Sequence, residues 1–239
     1  MIMEPTPLIN PDQYNLAPLL AAQNRTIEWL NTDDGDPFSL PNVARRNIIQ
    51  AANTVPLRYQ AATADHPAIR QWINTLVAGA FAAQKERRSP VASVRSGPSL
   101  LLLGPVGVGK TYQSYGALRE MAVTGVAAKW TVVTAADLYA QLQPRYGVDS
   151  ETEFQRYAKA SILLIDDLGA GGKLSEHTET VNFRLINYRY DHQLPTLITS
   201  NVLPKELGAR MGDRVASRLV EMCDRITITG PDRRREVAA

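Results

Sequence analysis

Lys110 and Thr111 close the run LLLLGPVGVGKT, which begins at Leu100 and fits the spacing G-x-x-x-x-G-K-[ST] of a phosphate-binding loop. The glycines let the backbone curl so that its N–H groups point inward at a phosphate, and the helix that follows adds its positive N-terminal end. Gly104, Pro105, Val106, Gly107, Val108, Gly109, Lys110, Thr111 and Tyr112 therefore form the expected nucleotide-binding segment. Lys110 is expected to reach the β- and γ-phosphates of a nucleotide, and the Thr111 hydroxyl to hold a magnesium ion. A glycine-rich turn that binds nothing is the plain alternative. The complete motif, framed by an apolar strand, argues against it.

A second chemical cluster lies in Ser161-Ile162-Leu163-Leu164-Ile165-Asp166-Asp167, an apolar run ending in two carboxylates. Asp166 is expected to hold the magnesium ion through water, and Asp167 to orient or deprotonate an attacking water. Paired acids at a strand end can also simply cap the next helix. Asn201 ends the next apolar run, LITSN, and its amide can position the same water or sense the γ-phosphate; an N-cap cluster is the alternative there. Arg214 and Arg218 stand four apart on one helical face, and Gly230-Pro231-Asp232-Arg233-Arg234-Arg235 follows the last predicted strand. An arginine on the γ-phosphate accelerates phosphoryl transfer by roughly 10³–10⁵. Surface salt bridges and a solvated basic tail are the ordinary use of such residues.

These side chains need strands to aim them. Residues 1–14 are Pro-rich and extended, after which Leu16, Leu19, Leu20, Ile27 and Leu30 fall on one helical face. That amphipathic helix either packs back on the main domain or docks a partner, since both uses need the same spacing. The DDGDP run at 33–37 breaks it. A second helix is predicted over 43–52, and a long one behind an Asp65 N-cap, with Ile69, Trp72, Ile73, Leu76, Val77, Ala80 and Phe81 on its apolar stripe. Beyond the phosphate loop, predicted helices at 112–124, at 135–142, at a short stretch led by Asp149 or Ser150 that carries Phe154 and Tyr157, and at 181–192, 204–210 and 213–222 alternate with strands at 127–133, 161–167, 194–201 and 225–229. Strands and helices in alternation specify a doubly wound α/β parallel sheet flanked by helices. Ligands bind such sheets beyond the carboxyl ends of the strands, where the phosphate loop, the Asp166–Asp167 pair and Asn201 are found.

Composition narrows the classes. The 239 residues are 44% hydrophobic and 21% charged, ordinary for a globular protein. A net charge of +2 makes any nucleic-acid surface a local patch. Lys85, Arg87 and Arg88 suit either such a patch or a solvated helix end. The single Cys223 excludes an intrachain disulfide and, with only His66, His177 and His192, a zinc cluster; a reducing, cytoplasmic setting is the expectation. No run approaches the roughly 20 apolar residues of a membrane span. The N-terminus lacks the basic and apolar regions of a secretion signal.

In combination, GPVGVGKT, ILLIDD, LITSN, MGDRVASRL and GPDRR occur in the order seen in AAA+ ATPases of the bacterial helicase-loader branch. From about Asn53 to Arg235 the chain resembles a DnaC-type loader and is similar also to the IstB-like transposition ATPases. The resemblance implies a P-loop NTPase domain over 53–239 and an N-terminal helical extension over 1–52 that docks a hexameric replicative helicase. It implies that Asn201 is the sensor-1 residue, that Arg214 is the arginine finger presented to a neighbouring subunit, and that Arg234 is a sensor-2-like arginine acting within its own subunit. Single-stranded DNA is the implied nucleic-acid partner, with Arg145, Tyr146 and Lys173 as candidate contacts. The chain departs from the pattern in carrying Asp167 where most AAA+ proteins have glutamate, and in the short stretch after its last predicted strand, which leaves a helical lid minimal or absent. Three functions follow: a helicase loader that hydrolyses ATP, a transposase-helper ATPase, and a low-turnover ATP switch. A small-molecule kinase is disfavoured by arginines suited to act in trans.

Overall fold

The computed structural model describes residues 8–32, 34–144, 146–147, 149–170 and 175–233. Two compact units divide the chain: Met1–Arg95 with Tyr112–Lys129, and Ser96–Thr111 with Trp130–Ala239.

The second unit is built on five parallel strands, β1 (Ser99–Leu103), β2 (Trp130–Thr134), β3 (Ile162–Asp166), β4 (Thr196–Ser200) and β5 (Cys223–Thr227). Their order is β2-β3-β4-β1-β5. Every position of β1, β3 and β4 is buried: β1 and β3 are apolar over Leu100–Leu103 and Ile162–Ile165, and the β4 hydroxyls of Thr196, Thr199 and Ser200 find hydrogen-bond partners. In register, Leu101 and Ile165 both pair with Ile198, so β4 separates the phosphate-loop strand from the strand that ends in Asp166. The connections contain α6 (Ala135–Leu142), α7 (Ser150–Ala158), α8 (Glu176–Asp191), α9 (Leu207–Met211) and α10 (Asp213–Met222). Leu138, Phe154, Tyr157, Leu185, Val215 and Leu219 from these helices share one core with Leu101, Ile165 and Ile198.

The first unit contains α1 (Ala17–Ala22), α2 (Ile27–Leu30), α3 (Leu40–Thr54), α4 (Pro67–Arg87) and, from Tyr112 onward, the body of α5 (Lys110–Ala122). Leu16, Leu19, Leu20 and Leu30 are buried, so the first apolar stripe serves as core, while Ile27 of that stripe is exposed. The single helix expected there is two. Asn24 adopts φ 51, a left-handed conformation that asparagine tolerates, and it breaks the chain between α1 and α2. The cap of α4 also differs from expectation: His66, whose Nδ1 accepts from the Ala68 N–H, is the N-cap and Asp65 precedes it. In the sheet unit α8 starts well before Val181, because Ser175 and Thr178 form a reciprocal capping box with threonine where glutamate is usual.

Buried guanidinium groups hold the N-terminal segments by their backbone. Arg45 donates to the carbonyls of Leu30 (2.6 Å) and Thr32 (3.0 Å) and to Asn42 Oδ1 (2.7 Å). Arg119 of α5 donates to the carbonyls of Tyr14 (2.6 Å), Asn15 (3.1 Å) and Ala62. The neighbouring Glu120 accepts from Gln23 Nε2 at 3.0 Å and faces Arg70 at 3.7 Å. In the sheet unit Arg189 is fully buried and donates to the carbonyls of Tyr157, Ala158 and Ala160 at the end of α7, to Pro195 and to Thr196 Oγ1, all between 2.7 and 3.1 Å. Burial lowers its pKa to about 9, and the negative end of the α7 dipole favours its charge.

Arg189→Leu leaves these buried acceptors without donors and is expected to cost about 3–5 kcal/mol in chemical denaturation; a loss below about 1 kcal/mol would contradict the staple role. Burial, opposed by Gln23 and Arg70, raises the Glu120 pKa. A carboxyl with a raised folded-state pKa binds its proton more tightly when folded, so the folded state gains as pH falls through that raised value. Glu120→Gln is therefore expected to raise Tm at neutral pH by about 2 °C and to lose that advantage near pH 4, as thermal melts across pH would show.

Candidate nucleotide site

Gly104 leaves β1 with φ 150 and Gly107 turns the loop with φ 86, backbone that other residues rarely adopt. Val108 anchors the loop with its buried side chain, while Pro105 and Val106 stand outward. The Lys110 ammonium folds inside, donating to the carbonyls of Gly104 and Pro105 at 2.8 Å each. The loop is thus curled around a buried positive charge, at the first turn of a helix. Tyr112, one residue further, donates its hydroxyl to the Ala61 carbonyl at 3.1 Å within the N-terminal unit.

Across the sheet ends, the Thr111 hydroxyl lies 3.0 and 3.1 Å from the two carboxylate oxygens of Asp166. Thr199 of β4 donates to Asp166 Oδ1 at 2.6 Å and accepts from the Asp167 N–H at 2.9 Å. One hydroxyl therefore fixes both acids. Burial raises the Asp166 pKa and Asp167 adds to the rise, while hydrogen bonds from Thr199 and Thr111 and the charge of Lys110 pull it down. Asp167 is exposed and sits at φ 58, turned off the end of β3. Leu168, next in line, donates its N–H to the Thr199 carbonyl at 2.9 Å, and its carbonyl accepts from Ser200 Oγ at 2.7 Å. This turn places Asp167 beside β4, whose end carries the exposed Asn201.

A hydroxyl and a carboxylate are hard oxygen donors suited to magnesium, which takes one or two protein ligands and fills its octahedron with water and phosphate oxygens. Among the described residues no cluster of three or more His, Cys, Asp or Glu could hold a metal by itself. Thr111 and Asp166 fit a magnesium ion that arrives with a nucleotide.

Arg214 and Arg218 occupy successive turns of α10 and face aromatic rings of α8. The Arg214 guanidinium is 5.7 Å from the Phe183 ring, and that of Arg218 is 5.2 Å from Phe183 and 5.8 Å from Tyr190. Arg218 also donates to the Arg214 carbonyl at 3.4 Å. Arg214 is the more exposed of the two. Tyr146 is fully exposed, while Arg145, Lys173 and Arg234 lie outside the described residues.

Sequence reading missed Thr199. A threonine in a strand is an ordinary β-former, and only its place on a strand buried between two others signals that its hydroxyl must find partners. Sequence reading also gave Asp232 and Arg233 no separate role, yet the Arg233 N–H donates to the Gly107 carbonyl at 3.1 Å.

Residues 75–237 match the family described as IstB-like ATP binding protein. No curated sequence is significantly similar to the chain. Among solved structures, the fold is similar to the DnaC helicase loader, with TM-score 0.59 and 23% identity over 73% of this chain and 100% of that one. It is similar also to DnaI, with TM-score 0.51 and 24% identity over 65% of this chain and 83% of that one. At such identities the likeness is one of fold, the five-stranded parallel sheet of AAA+ P-loop proteins. With its phosphate loop and strand-end acid in place, the chain belongs to the IstB-like ATP-binding protein family.

Proposed function

We propose that the protein is an ATP-hydrolysing helicase loader of the cytoplasm, which binds a hexameric replicative helicase and helps to place it on single-stranded DNA. The observation that carries the ATPase reading is the meeting of Thr111, Asp166 and Thr199, a hydroxyl–carboxylate pair held ready beside a phosphate loop. The loader reading is supported by the fold it shares with the DnaC helicase loader.

Phosphoryl transfer needs positioning and charge neutralisation more than covalent help from the protein. Lys110 offers its ammonium to the β- and γ-phosphates, in exchange for the carbonyls of Gly104 and Pro105. Tyr112 completes the nucleotide-binding segment. Thr111 and Asp166 hold magnesium, which when bound neutralises the phosphate oxygens. Asp167, on the exposed side of the Thr199 bridge, orients or deprotonates the attacking water, and Asn201 fixes that water from the end of β4. Arg214 reaches the nucleotide of a neighbouring subunit, and Arg234 acts on the nucleotide of its own. Self-assembly thereby completes the site, and turnover rises with assembly.

The docking surface for the helicase falls on the N-terminal 52 residues. Their main apolar faces are consumed as core, so contact rests on outward side chains such as Leu8, Ile27 and Phe38. Arg145, Tyr146 and Lys173 contact DNA, with salt-sensitive binding. A second reading, a transposase helper, is favoured by the family match itself.

Asp167→Asn is expected to leave ATP binding intact and to slow single-turnover hydrolysis by about 10²-fold or more; an unaltered rate removes Asp167 from the base role and favours a switch. In size-exclusion chromatography with ATP and magnesium, the full chain is expected to co-elute with a replicative helicase hexamer. Co-elution with transposase and duplex DNA instead, and none with helicase, supports the helper.

A further inference from the structure

The segment after β5 does more than follow the sheet. The Ile228 N–H donates to the Leu103 carbonyl at 2.7 Å, extending the pairing with β1, and the chain then turns at Gly230 to run along the phosphate loop. Three loop glycines each face one of its residues. A Cβ on Gly104 would collide with the Ile228 carbonyl, one on Gly107 with the Asp232 carboxylate, and one on Gly109 would stand 3.3 Å from Arg233 Nη1. The Arg233 N–H fastens the strap by donating to the Gly107 carbonyl.

We infer that residues 228–233 form a second wall of the phosphate site, on which Asp232 and Arg233 set anion affinity in opposite directions. The inference rests on the reading of the loop as an ATP site. A phosphate loop gathers backbone N–H groups and one lysine to hold a multiply charged anion. Asp232 already presses a carboxylate against Gly107, so it repels an incoming triphosphate. Arg233 lies beside Gly109, next to Lys110, and attracts it. The half-buried Asp232 is screened only in part by salt, and the exposed Arg233 is screened more. Asp232 thus weakens ATP binding and hastens release of the spent nucleotide, while Arg233 offsets that penalty. The glycines at 104 and 107 are required twice over, by their positive φ and by the strap that lies on them.

The test is calorimetric titration of the full chain with ATP and with ADP, each with magnesium, at low and high salt. Asp232→Asn keeps the shape and removes the charge; it is expected to tighten ATP about tenfold, ADP by less, with both gains shrinking at high salt. Arg233→Gln is expected to weaken ATP by a similar factor. An unchanged melting temperature establishes that each variant is folded. ATP binding by the wild type that Asp232→Asn leaves equal or weaker overturns the inference alone. Failure of the wild type and both variants to bind ATP overturns the nucleotide reading and this inference with it.

Discussion

A buried carboxylate must be satisfied, and in this protein the partners of Asp166 decide what the site can be. Its oxygens meet the hydroxyls of Thr111 and Thr199, which come from the helix after the phosphate loop and from the intervening strand β4. That geometry needs β4 between β1 and β3, and it needs β4 to end level with both. The apolar runs Leu100–Leu103 and Ile162–Ile165 serve the same end. Apart from Ser99 and Thr196 at the amino edge, the polar side chains of these strands, Asp166, Thr199 and Ser200, gather at the carboxyl edge. The Thr199 hydroxyl donates to Asp166 and accepts from the Asp167 backbone N–H, so a single side chain sets the spacing of the buried acid and the exposed acid.

A second constraint runs through both units. Arg45, Arg119 and Arg189 are buried, and backbone carbonyls supply most of their hydrogen-bond acceptors. Taking a guanidinium out of water costs several kcal/mol, which dense donation to carbonyls offsets. Such staples tie irregular segments, whose own backbone groups would otherwise lack partners, to helices. Arg119 is a case in point: it stands on the helix that starts with Lys110 and Thr111, and it fixes the backbone at Tyr14, Asn15 and Ala62.

Much of this was legible in the residues themselves. LLLLGPVGVGKT and ILLIDD identify strand, loop and acid because each demands a buried strand followed by a special backbone, and few other structures use that order. The pairing of Thr111 with Asp166 follows from the same motifs. What escaped depends on contacts that periodicity does not carry. Thr199 reads as a strand residue until its neighbours are known. Asn24 sits inside a helical pattern yet breaks it by its own φ. Asp232 and Arg233 read as tail because nothing in GPDRR says which loop they will lie against; only the pairing of Ile228 with Leu103 brings them there. The start of α8 was hidden by a threonine in place of the usual glutamate of a capping box.

The central claim is that Thr111 and Asp166 build a magnesium site that works only with a nucleotide on the loop. The most direct test is ATP affinity as a function of magnesium, measured for the wild type and for Asp166→Asn. The account predicts that magnesium tightens ATP binding in the wild type and that most of this gain, roughly ten- to hundredfold, is lost in the variant. An equal gain in both proteins would contradict it.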